Sequence, residues 1–106
     1  MNSKEIIGQI REAAYHVLPK GSVLYLYGSR ARGDNREDSD WDLLALLPET
    51  GISKDEKLNM SCDLWEKGQQ LNQEFNTFVY TQSEWDNAPL SLFKHNVHNE
   101  RIKIWG

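Results

Sequence analysis

Cysteine is nearly absent from this chain. Cys62 stands alone among 106 residues, which excludes an internal disulfide and any cysteine-rich zinc site. Proline is sparse, and no Pro/Gly/Ser-rich linker, internal repeat or low-complexity segment interrupts the sequence, so residues 1–106 are expected to form one domain. Missing too is any apolar run approaching the ~20 residues that span a bilayer, and the opening residues are not signal-like. The expectation is a cytoplasmic protein with no membrane partner. Positive charge is in deficit: twelve Lys and Arg face sixteen Asp and Glu, for a formal net charge of −4. A general nucleic-acid binder needs a basic surface to displace counterions, so that class is excluded. His16, His95 and His98 are scattered, and none has the spacing of zinc ligands. What remains, 39% hydrophobic residues with 10% aromatic, is enough for a modest packed core rather than a disordered chain.

Against this background one stretch is built for chemistry. An apolar run, Val23-Leu24-Tyr25-Leu26-Tyr27, leads into Gly28-Ser29; ten residues later Asp40-Trp41-Asp42 opens a second run, Leu43-Leu44-Ala45-Leu46-Leu47. Both runs have the length and composition of buried strands. Residues i and i+2 of a strand share a face, so Asp40 and Asp42 can aim their oxygens at one point, as a hard divalent cation such as Mg²⁺ requires. Glycine admits a ligand close to the backbone, and a serine hydroxyl with free amides at a helix start suits a phosphate. Arg30, Arg32 and Arg36 place local positive charge beside it. A phosphate cradle facing metal-type carboxylates is the equipment for moving a nucleotide.

The rest of the chain reads as alternating helices and strands. Ile6, Ile7, Ile10, Ala13, Ala14 and Val17 recur at helical spacing and predict a first helix. A short helix is expected over residues 30–35, and a longer one from a Ser53–Glu56 capping box to about Gln70, with Leu58, Cys62 and Trp65 along one side. Phe75 to Tyr80 predicts a third strand, Thr81 to Glu84 a second capping box, and residues 90–97 a further helix. Ile102 to Trp105 alternates like a strand at a sheet edge.

Gly28-Ser29-Arg30-Ala31-Arg32-Gly33 with Ser39-Asp40-Trp41-Asp42-Leu43 resembles the signature of the DNA polymerase β-like nucleotidyltransferase superfamily. Within it the chain is most similar to the minimal nucleotidyltransferases, often paired with a helical HEPN partner in toxin–antitoxin modules. The resemblance is sharp over residues 23–47 and looser from Leu71 onward. Trp41 departs from the usual aliphatic residue between the aspartates, but it should face away from the metal side. The resemblance implies an α/β (α+β) fold, a short mixed sheet with helices packed on it. It also implies transfer of AMP from ATP to a hydroxyl with two Mg²⁺ ions. Gly28, Ser29 and Arg30 would bind the nucleotide, and Asp40 and Asp42 both ions. The family's third acid, counted back from Val79-Tyr80, falls on Glu74, which would serve as a catalytic and metal-binding residue.

With residues 1–106 expected to form one domain, none is expected to build a second, acceptor-shaping one. That favours a hydroxyl on a partner protein, with the resemblance implying a HEPN-type toxin, or a site completed by a second copy. Two alternatives stand beside it: transfer to a small molecule such as an aminoglycoside, or an antitoxin that acts by contact alone. Tryptophans favour interfaces, and Trp85 and Trp105 are expected at the partner surface.

Overall fold

A computed structural model describes every residue from Met1 to Gly106. The chain runs α1 (Ser3–Val17), β1 (Val23–Tyr27), α2 (Ser29–Arg32), β2 (Trp41–Leu47), α3 (Lys54–Gln70), β3 (Phe75–Thr81), α4 (Gln82–Asn87), α5 (Leu92–Glu100) and β4 (Ile102–Trp105). The four strands form one mixed sheet in the order β3-β2-β1-β4. β1 pairs antiparallel with β2 and β4, while β2 pairs parallel with β3. Parallel neighbours need a crossover, and α3 supplies it.

Alternation along the strands divides the sheet into two faces. Leu24 and Leu26, Trp41, Leu43, Ala45 and Leu47, and Phe75 turn to one face. There they form the main core with Ile6, Ile10, Ala13 and Ala14 of α1 and Leu64 of α3. Each of the Leu, Ile and Phe side chains removed from water contributes about 1.5–3 kcal/mol. Leu44 and Leu46 turn to the other face and meet Trp85 and Val97 in a smaller cluster. This second cluster covers only the far part of that face. Asp42 and Asn76, which share the face, lie outside it.

Several sequence expectations need correction. Leu58, Cys62 and Trp65 lie along one side of α3, but that side is not packed: Leu58 is 59% exposed, Trp65 43%, and Cys62 is exposed as well. Leu64 and Gly68 are buried instead. A Cβ on Gly68 would lie 2.7 Å from the Gln73 carbonyl oxygen and 2.9 Å from the Phe75 ring, so the helix's closest approach to β3 selects glycine there. Trp85 is no surface anchor; it is 6% exposed in the second cluster. Ser53 caps α3 by accepting from the Glu56 amide at 3.1 Å, but the reciprocal arm of a capping box is present only at Asn2–Glu5 and Thr81–Glu84. α2 stops at Arg32 because Gly33 takes a left-handed conformation, and α5 begins after its Ser91 cap.

Candidate active site

Trp41 sets the phase of the acidic pair. Its indole is 1% exposed in the main core, and its ring N–H donates to Gln73 Oε1 at 2.9 Å. With Trp41 committed inward, Asp42 is turned to the opposite face, and Asp40 stands just before the strand. The register places Tyr27 directly across from Asp42 on β1 and Asn76 across from it on β3. Asn76 Nδ2 donates to Asp40 Oδ2 at 3.2 Å. Tyr27, Asp42 and Asn76 thus form one row across three strands, with Asp40 reaching into it.

Gly28 follows Tyr27 and closes the site from the β1 side. Its backbone lies at φ +76° and ψ −158°, a region open essentially to glycine. A Cβ there would sit 2.5 Å from Asp42 Oδ2. The glycine is therefore required twice, by its dihedrals and by the carboxylate beside it. Ser29 then begins α2, whose cap carries no side-chain hydrogen bond. Gly28, Ser29 and Asp42 come together as the sequence suggests.

The Arg30 guanidinium is engaged with the loop before Asp40. It lies 4.4 Å from the centre of the Trp41 ring. It donates to the Glu37 carbonyl at 3.0 Å and to the Ser39 carbonyl at 3.0 and 3.3 Å. These bonds fasten the loop that delivers Asp40. Arg32, which the sequence offers as local positive charge beside the phosphate site, is held by carboxylates instead. It pairs with Asp34 at 3.2 Å and with Glu100 of α5 at 2.6 Å, bringing the end of α5 towards the site.

Glu74 is also placed elsewhere. Its carboxylate accepts from Trp65 Nε1 at 2.9 Å and Gln69 Nε2 at 3.0 Å, both on α3. Only its backbone joins the site's frame, accepting from the Trp41 amide at 2.8 Å. The position facing the acids belongs to Asn76, two residues on, where regular strand pairing has begun. The sequence signal was the register itself: Phe75 is in the core, so the next residue, Asn76, faces Asp42.

Electrostatics follow from this crowding. Partial burial pushes the Asp42 carboxyl above the usual carboxylate range, Asp40 and Glu100 push the same way, and Arg32 opposes them. Tyr27 is raised to about 12, first by burial and then by Asp42 and Tyr80, so it stays a neutral phenol at ordinary pH. Two hard oxygen donors one strand-repeat apart, beside a backbone without a Cβ, suit a divalent cation whose other ligands come from a nucleotide's phosphates. A full acidic triad is not there: no group of three His, Cys, Asp or Glu side chains is placed to hold a metal.

The sequence matches the family model for polymerase β-type nucleotidyltransferases over residues 10–105. No curated protein matches it. Among solved structures it is similar to a toxin–antitoxin determined with AMP-PNP, at 19% identity and TM-score 0.68, over 94% of this chain and 73% of that one. It is also similar to a mutant of the toxin–antitoxin MntA-HpeT, at 17% identity and TM-score 0.63, over 100% and 74%. A third match is a Sulfolobus solfataricus protein described as a candidate nucleotidyltransferase, at 19% identity and TM-score 0.64, over 96% and 81%. At such identities these likenesses speak to the fold.

Proposed function

This chain belongs to the polymerase β nucleotidyltransferase family, and on that premise we propose that it transfers AMP from Mg²⁺–ATP to a hydroxyl of a partner protein. The observation that carries this reading is the contact between Gly28 and Asp42, where a Cβ would lie 2.5 Å from the carboxylate. Without a side chain at Gly28 the backbone lies directly against this partly buried acid, so a phosphate on the glycine's backbone and a cation on the carboxylate would be neighbours. Gly28 and Ser29 would hold the triphosphate, and Asp40 and Asp42 would hold the cation beside it. When bound, Mg²⁺ would neutralise charge on the phosphates and on the departing pyrophosphate. The acceptor oxygen bonds to the α-phosphorus as the bond to pyrophosphate breaks. Asn76 has no basic group, so the acceptor's proton passes to Asp40, Asp42, a group the partner brings or water.

Partner dependence is supported by two features. The acids lie on an open part of the sheet face, and the solved toxin–antitoxin structures give the same fold a protein partner. A HEPN-type toxin in the cytoplasm is the partner the sequence resemblance suggests. No helix of the chain is long and apolar enough to cross a membrane. One observation favours a second reading: with Asn76 facing the acids and Glu74 bound to α3, the chain could bind nucleotide and neutralise its partner by contact alone.

Co-expression with the neighbouring gene followed by intact-mass measurement tests the proposal. A partner heavier by AMP units, lost in Asp42→Asn, supports transfer. A tight, unmodified complex unaffected by Asp42→Asn supports contact.

A further inference from the structure

The apolar stripe Leu58–Cys62–Trp65 has helical spacing and no core to face. It runs beside β3, an edge strand of the sheet, where Phe78 is 50% exposed. Between helix and strand lies a cavity of about 520 Å³, walled by Cys62, Trp65, Phe75 and Phe78 and reaching Asn76 and Asp42. A second hollow of about 480 Å³ shares Phe78 and continues along β3 past Leu58 to Lys54 and Lys57. Together they form an elongated groove that ends at a candidate catalytic acid. Trp65 is not loose in it, because Glu74 accepts from its indole N–H at 2.9 Å.

We propose that this groove is the acceptor subsite, and that its occupant is an extended protein segment with its hydroxyl at the Asp42 end and a carboxylate towards Lys54. The inference rests on the nucleotidyl-transfer reading above. Displacement at phosphorus is roughly in line, so the nucleophile must approach opposite the leaving pyrophosphate. The strand order β3-β2-β1 places Gly28 and Ser29, after β1, on one side of Asp42 and the groove on the other. A pyrophosphate held at Ser29 therefore leaves the β3 side for the incoming oxygen. Charge selects the class of acceptor. No Lys, Arg or His lines the cavity at the Asp42 end, which disfavours the phosphates of a nucleic acid. Lys57 is already paired with Glu84 at 2.7 Å, which leaves Lys54 as the free cation of the far end. The aromatic walls favour apolar residues around the hydroxyl, and two joined hollows fit an extended segment better than a compact sugar.

Cys62, the sole cysteine, is a reporter within the groove. Its alkylation by N-ethylmaleimide is followed by intact mass in the full chain, with Mg²⁺ and a non-hydrolysable ATP analogue present. The probes are a blocked hexapeptide carrying one tyrosine and one glutamate, the same peptide with lysine for glutamate, and kanamycin. The glutamate peptide should slow alkylation saturably and act about threefold more strongly than the lysine peptide, the size of one exposed charge pair. Phe78→Ser should lose this protection while binding the nucleotide analogue as the parent does. Protection by the analogue alone would put the nucleotide in the groove and overturn the proposal. So would stronger protection by kanamycin, or none by either peptide. Absence of Mg²⁺-dependent analogue binding, measured separately by calorimetry, would instead sink the nucleotidyl-transfer reading and the acceptor subsite with it.

Discussion

Asn76 donates a hydrogen bond to Asp40, Nδ2 to Oδ2 at 3.2 Å, from the register position directly across from Asp42. A neutral amide thus faces two carboxylates where a third acid would complete a metal site. The amide relieves repulsion between the acids but adds no negative charge to hold a second cation.

Restoring that charge gives the most direct prediction. Asn76→Asp should tighten Mg²⁺ or Mn²⁺ binding in the presence of ATP by about tenfold, equivalent to ~1.4 kcal/mol, and raise transfer by the isolated chain. Without metal, three adjacent carboxylates should lower Tm by several degrees, and metal should restore it. Calorimetry and thermal melts with and without EDTA check both halves. An unchanged metal affinity would show that position 76 lies outside the metal's reach.

Asp42→Asn should abolish Mg²⁺-dependent ATP binding while stabilising the metal-free fold, on the order of 2 °C in Tm at neutral pH. The sign follows from the raised Asp42 carboxyl. Between the ordinary carboxylate range and its own higher pKa, the folded state keeps a proton that the unfolded state has released. Metal-free stability therefore falls as pH rises through that window. Metal affinity should weaken as pH falls through the same window, because the ligand becomes protonated. Melting curves across pH for parent and variant should lose that slope in Asp42→Asn.

Gly28→Ala should cost about 1–3 kcal/mol of stability, the strain of a side chain at dihedrals reserved for glycine. The added Cβ would also lie 2.5 Å from Asp42 Oδ2, so nucleotide binding should fall beyond what the stability loss explains. Denaturant unfolding and nucleotide titration on the same sample separate the two effects.

Glu74→Gln should leave Mg²⁺–ATP binding unchanged, since its carboxylate holds Trp65 and Gln69 rather than facing Asp42. The loss should appear in KM for the acceptor, with Trp65→Ala showing the same change and little further loss in the double variant. A fall in kcat at saturating acceptor with unchanged KM would return Glu74 to the catalytic group.

Arg30→Ala should weaken nucleotide binding only through disorder of the loop before Asp40, because its guanidinium is spent on the Glu37 and Ser39 carbonyls and the Trp41 ring. The expected signature is faster hydrogen exchange over residues 34–40 with the fold otherwise intact. Exchange unchanged there, with ATP affinity lost, would make Arg30 a phosphate ligand after all.

The sequence by itself determined the mixed α/β fold and the meeting of Gly28 and Ser29 with Asp42. Periodicity and strand phase are local: a buried Trp41 forces Asp42 outward, and a glycine after a strand opens a turn wherever the sheet lies. What only the tertiary structure decided depends on which neighbours arrive. Glu74 precedes the regular part of β3, so its side chain was free to follow the donors of α3, and register across β2 and β3 gave the facing place to Asn76. The Leu58–Cys62–Trp65 stripe has the spacing of a core face. The close approach at Gly68, however, rotates Leu64 inward and leaves that stripe along the edge of β3. Trp85 reads as an interface residue until Leu44, Leu46 and Val97 enclose it. Apolar spacing states which side chains share a side of a helix; only packing states whether that side meets the core.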